Sequence, residues 1–129
     1  MDIKSANRRK YHRIEFDGVA CLKINEHDYD CSLIVDLSLT GMFVKGNFQK
    51  HIMENCIVRI FSNKNTDQDS VIATGEVVRV NNDGMALQFT EMTLENYTLL
   101  KSTLAENAED SLVIMSEFPD APPFEINDK

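Results

Sequence analysis

The chain has 129 residues, 43% of them apolar and 26% charged, with a formal net charge of −8. That length suits one domain with a true core, and no apolar run approaches the roughly 18 residues needed to cross a bilayer. The acidic balance argues against nonspecific binding to DNA, RNA or anionic membrane, and the N-terminus lacks the apolar stretch of a secretion signal. A cytoplasmic protein without membrane insertion is expected.

Residues 1–13 read as a flexible basic arm. Lys4, Arg8, Arg9, Lys10 and Arg13 stand there against a single acid, Asp2. A compact basic spot on an acidic chain suits a small anion better than a long polyanion. Ile14 to Ile24 carries strand-forming residues, interrupted at Asp17-Gly18 by a bulge or bend. Asn25 to Asp28 reads as a polar turn. Tyr29 to Leu37 reads as a second strand, with Cys31, Leu33 and Val35 on one face and Ile34 on the other. Ser38 to Gly41 is a turn, after which Met42-Phe43-Val44 resumes extended structure.

Ile57 to Phe61 predicts a further strand, followed by a polar loop over Ser62–Asp69. Val71–Val80 and Met85–Thr90 flank Asn81-Asn82-Asp83-Gly84, whose Asp-Gly pair is a hairpin signal. Short strands parted by polar turns predict a β-barrel or sandwich. One helix follows. Thr93 is its expected N-cap, Glu95 lies in the first turn where the helix dipole favours an acid, and Leu94, Tyr97, Leu100 and Leu104 form an apolar stripe that would cover the barrel's open side. Beyond Ala108 the chain turns acidic and then carries Pro119, Pro122 and Pro123. The expected organisation is an arm over 1–13, barrel and helix over 14–110, and an acidic tail over 111–129.

Three cysteines, Cys21, Cys31 and Cys56, are an odd count without C-x-x-C spacing. In strand-like segments, Cys21 and Cys31 are expected to be free thiols acting as small buried hydrophobes. His12, His27 and His51 lack the spacing of metal ligands, so neither a metal nor a cofactor is expected. No Gly-rich phosphate loop or local nucleophile-base arrangement appears, so catalysis is not expected.

Two motifs carry the chemistry. Arg9 and Arg13 are four residues apart, with Arg8 just before the first. A guanidinium is planar and permanently charged, stacks on purines, and pairs with guanine O6 and N7. Asp36-Leu37-Ser38-Leu39-Thr40-Gly41 reads D-x-S-x-x-G. Asp36 can accept from guanine N1–H and N2–H or hold an arginine, and Ser38 can donate to an anionic oxygen or cap the turn. Gly41 permits positive φ and close ligand approach. Singly, the first motif reads as a solvated basic arm and the second as an Asp/Ser-stabilised β-turn. Together they point to a site for an anionic guanine nucleotide.

This pair of motifs, in this order, resembles the PilZ domain, a bacterial receptor module for the second messenger cyclic di-GMP. Its signature is R-x-x-x-R on an N-terminal loop, then D-x-S-x-x-G on a strand-turn of a six-stranded antiparallel barrel with a C-terminal helix packed on it. The segment Gly75 to Val80, the Asp83-Gly84 turn, Phe89 and the following helix fit the same layout. The resemblance covers roughly Asn7 to Leu104. It implies that Arg9 and Arg13 contact ligand phosphates and guanine, that Asp36 and Ser38 contact guanine, and that Gly41 shapes the turn. Arg8 holds a place where, in the family, an arginine accompanies an intercalated ligand dimer. Arg79 lies where some relatives carry a base-stacking side chain, although a surface ion pair suits it equally.

The implied function is a cyclic di-GMP receptor whose arm orders on the ligand and signals to a downstream protein. A nucleotide-independent adaptor of the same fold is the alternative. A barrel for single-stranded nucleic acid is disfavoured, because the basic residues cluster at one end and the chain has no Trp.

Overall fold

The computed structural model describes residues 13–29, 31–46, 54–63, 70–117 and 122–127. They form strands β1 (Ile14–Glu15), β2 (Gly18–Ile24), β3 (His27–Asp28), β4 (Ser32–Leu37), β5 (Gly41–Lys45), β6 (Asn55–Ser62), β7 (Val71–Val80) and β8 (Gly84–Met92). Helices α1 (Leu94–Asn107) and α2 (Ser111–Glu117) and a last strand β9 (Glu125–Ile126) follow. The antiparallel order β4-β5-β8-β7-β6-β2 closes when β2 pairs back onto β4. The fold is therefore mainly β, a closed six-stranded antiparallel barrel with a C-terminal helix.

Period-two alternation builds the wall. On β6, Cys56, Val58 and Ile60 point inward while Ile57, Arg59 and Phe61 point out. β2 turns Ala20, Leu22 and Ile24 inward, and β7 does the same with Val71, Ala73 and Val77. Full burial of each such aliphatic side chain stabilises the fold by about 1.5–3 kcal/mol before the entropy of ordering it is counted. The interruption at Asp17 separates two partners: β1 pairs with β4, and β2 with β6. Asn25 adopts φ 55° and with Glu26 makes a tight turn, so His27-Asp28 folds back on β2 as β3. In the β7–β8 connection the Asn81 side-chain oxygen accepts from the amides of Asp83 (2.8 Å) and Gly84 (3.0 Å).

Helix α1 starts where expected. Thr93 Oγ1 accepts from the Asn96 amide at 3.1 Å, and Asn96 Oδ1 in turn accepts from the Ile72 amide of β7 at 2.8 Å. The cap thus fastens the helix to the barrel as well as to itself. Tyr97, Leu100 and Leu104 are buried with Thr103, whereas Leu94 is 54% exposed. The 111–129 stretch holds α2 and β9. β9 runs parallel to the end of β8, and Phe124 sits edge-on to Phe89 and Tyr97. Among the described residues no helix is long and apolar enough to cross a membrane.

The two outer cysteines depart from expectation. Cys21 is half-buried and Cys31 exposed, and their sulfurs are joined in a disulfide. The cause is register. Val19 stands opposite Leu33 and Ala20 opposite Ser32, so the next step sets Cys21 against Cys31 on the outward face. Cys56 is the buried free cysteine, and desolvation pushes its thiol up to about 11 despite a hydrogen bond from the Gly75 backbone.

Candidate functional site

Strand register lays one row of side chains across the outside of the barrel. Glu15 is opposite Asp36, Asp36 opposite Phe43, Phe43 opposite Ala86, and Ala86 opposite Arg79. Directly opposed residues in an antiparallel sheet share a face.

Two β-bulges put the charged members there. On β4, Ile34 is buried and simple alternation would turn Asp36 inward as well. The register shifts between Ile34 and Asp36, however, making Val35 the extra residue. Asp36 therefore faces outward and Leu37 takes the core position. On β7 the same happens: Val77 is buried, Val78 is the extra residue, and Arg79 emerges exposed. A bulge of this kind re-aims one side chain, here a carboxylate and a guanidinium.

The row's polar end is organised by an ion pair. Arg13 Nη1 donates to Asp36 Oδ1 at 2.8 Å, across a separation of 23 residues, with each side chain 27% exposed. One residue from each motif is thus joined by a charge-assisted hydrogen bond. At the other end the Arg79 guanidinium carbon lies 5.8 Å from the centroid of the Phe43 ring, within cation–π range. Ala86, small and buried, lies between them in the row. Gly84 supports the arrangement from β8, since a Cβ there would strike the Val44 carbonyl and the Phe43 ring.

Ser38 and Gly41 serve the turn that ends β4. The Ser38 side chain is 1% exposed; its Oγ accepts from the Thr40 amide at 3.2 Å and donates to the Gly41 carbonyl at 3.4 Å. Its own amide donates to the same carbonyl at 2.9 Å. The Ser38 hydroxyl is the cap of a tight turn. Gly41 does not take positive φ, which among the described glycines is adopted by Gly46. It is required because a Cβ would collide with the Leu87 carbonyl of β8.

Of the candidate residues, the structure brings together Arg13, Asp36 and Arg79, with Ser38 and Gly41 shaping the strand end beside them. Arg8 and Arg9 lie outside the described residues. Phe43 is not among the candidates read from the sequence, although its place between the core residues Met42 and Val44 signals an outward aromatic two residues past the motif glycine. Arg13 also lines a cavity of about 650 Å³ between β1 and the α1–α2 junction, walled by Asn107, Glu109, Asp110 and Ile114.

The chain is thus a closed β-barrel with one arginine and one aspartate, drawn from two distant motifs, paired on its rim. The PilZ domain description matches residues 7–106, and the chain belongs to the PilZ domain family, a family of cyclic di-GMP receptors. Solved structures share the fold, two of them PilZ-domain proteins. One is the inhibitor of motility MotI/DgrA from Bacillus subtilis, with a TM-score of 0.64 and 18% identity over 77% of this chain. The other is the PilZ domain of CeSA from a cellulose-synthesising bacterium, with a TM-score of 0.61 and 16% identity over 75% of this chain. The match spans 50% of the first chain's length and 99% of the second's. No curated protein matches this chain closely enough to count as a relative.

Proposed function

We propose that this chain is a cyclic di-GMP receptor that binds the dinucleotide on the row from Arg13 to Arg79. The observation that carries the reading is the Arg13–Asp36 ion pair, which fixes a guanidinium fork beside a carboxylate on the barrel rim. Asp36 orients Arg13 toward a phosphate or a guanine edge and offers its second oxygen to guanine N1–H and N2–H. Phe43 and Arg79 supply a flat platform at the far end of the row, suited to a stacked purine. Ser38 acts through the turn, holding Asp36 in place, and Gly41 lets β5 close on β8.

Arg8 and Arg9, just upstream, add the positive charge that two phosphates need, and Arg8 suits an intercalated ligand dimer. Ordering of the arm over residues 1–13 on the bound anion is the signal, driven by tighter binding to the closed state. Arg13 also lines the cavity against α2, so its movement is felt at the exposed residues Leu112, Val113 and Met115, where a downstream protein reads it.

Calorimetric titration with cyclic di-GMP, with GTP and cyclic di-AMP as controls, tests the reading. The expected result is saturable, selective binding that falls at least 100-fold in the Arg9→Ala/Arg13→Ala variant, with a stoichiometry above one if Arg8 serves a second ligand. Absence of binding at high ligand concentration overturns it and leaves the nucleotide-independent adaptor.

A further inference from the structure

The barrel closes through its weakest seam. β2 stays in register with β6 along its whole length, Gly18 to Ile24, but meets β4 only at Val19 and Ala20. β4 then bulges at Val35 and swings away to pair with β1 and β5, carrying Asp36 and, at its end, Ser38. One step past Ala20 on that seam stand Cys21 and Cys31, with Cα atoms 4.1 Å apart and sulfurs joined. Cross-strand neighbours at a narrow antiparallel pair come about this close.

We propose that Cys21 and Cys31 are a reversible redox clasp, whose oxidation locks the site-bearing strand β4 onto β2 and whose reduction releases it.

The chemistry is thiol–disulfide exchange with a small-molecule disulfide of the glutathione class. Cys31, the exposed partner, attacks one sulfur of that disulfide as the thiolate, forming a mixed disulfide and releasing one small thiol. The Cys21 thiolate then attacks the Cys31 sulfur and releases the second small thiol. One S–S bond breaks and one forms; the two cysteine protons leave with the two released thiols, and the two electrons lost by the cysteines reduce the oxidant. The reverse exchange with excess thiol opens the clasp. Cys56 takes no part, being buried in the core on β6. The clasp acts where it matters because β4 is held to the rest of the wall by short pairings, whereas β6, β7 and β8 hold each other over longer registers.

The test uses the full chain equilibrated with oxidised glutathione or with dithiothreitol. After alkylation of free thiols in denaturant, intact mass should show one alkylated cysteine in the oxidised sample and three in the reduced sample. Amide exchange over residues 32–37 should slow by about tenfold on oxidation, with residues 71–80 unchanged. The Cys21→Ser/Cys31→Ser variant should exchange like the reduced protein under both conditions. Three alkylated cysteines after oxidation overturn the proposal, as does a redox-dependent exchange rate that persists in the double variant. Neither readout involves a nucleotide, so the clasp stands or falls apart from the receptor reading. If that reading holds, oxidised protein should also bind cyclic di-GMP several-fold differently from reduced protein.

Discussion

The two sides of the barrel are built to different standards. The β6–β7–β8 side is long-stranded: β6 follows β7 from Asn55 to Ile60 without a break, and β8 lies along β7 past two bulges, with its Met85–Leu87 stretch buried on both faces. The β1–β4–β5 side is short, interrupted at Asp17 and bulged at Val35, and it reaches β2 at only two adjacent residues. The second side carries the Arg13–Asp36 pair, while the first carries Arg79 and a large share of the core. On the proposed reading, the wall that presents Asp36 to a ligand is the less firmly paired part of the sheet. Substitutions on the two sides should therefore separate stability from binding.

The largest effect is expected from the core beneath α1. Leu100 of α1 is fully buried against the barrel, and Leu100→Ala should lower unfolding free energy by about 3–4 kcal/mol, read by urea denaturation. Ligand affinity of the molecules that remain folded should be unchanged. Next comes Gly41, at the junction of the two sides. Gly41→Ala forces a methyl group into the Leu87 carbonyl and should cost about 2–3 kcal/mol, while also weakening binding because the turn beneath Asp36 shifts.

A third test uses pH. Burial raises the folded pKa of Cys56 to about 11 from the ordinary thiol value of 9.0. The folded state therefore keeps its proton where the unfolded state has lost it. Stability from this group is full below about pH 9 and is lost as pH rises toward 11, by an amount on the order of 2 kcal/mol. Cys56→Val should flatten that part of the pH–stability curve relative to the native chain. An identical slope in both proteins would assign the alkaline loss to other groups.

Much of this molecule can be read from its residues, and the exceptions have one cause. The β7–β8 hairpin follows from the Asp83-Gly84 turn, the helix start from Thr93, and the pairing of the two motifs from the resemblance they carry. Alternation placed Leu33 and Val35 together and Ile34 opposite them, as observed. It did not reveal that Val35 is an extra residue, because a bulge depends on a partner strand that sequence pattern does not contain. Without that bulge Asp36 belongs to the core face. The same blindness to register hid the disulfide: Cys21 and Cys31 lie 10 residues apart, and only the pairing of Ala20 with Ser32 brings them face to face. Gly41 lies in the expected turn without the expected positive φ; the Leu87 carbonyl of β8 is what excludes a side chain there, and strand proximity, unlike φ, leaves no local mark.

The smaller effects belong to the row itself. Asp36→Asn keeps the shape but removes the charge that holds Arg13. Each side chain is 27% exposed, so solvent screening limits the stability loss to under about 1 kcal/mol. Cyclic di-GMP affinity should fall about tenfold, as expected when a charge-assisted hydrogen bond to the ligand is lost.

The smallest effect separates platform from packing at Phe43. Phe43→Leu removes the ring beneath Arg79 but keeps an apolar side chain over Gly84, so stability should change by about 0.5–1 kcal/mol. If Phe43 serves binding by presenting the Arg79 plane, affinity should fall about threefold, and Arg79→Lys, which keeps the charge and loses the plane, should do the same. The double variant should then be no worse than either single one, because both remove the same surface. Additive losses would mean that Phe43 and Arg79 meet the ligand separately. Unchanged binding in all three would confine the site to the Arg13–Asp36 end of the row.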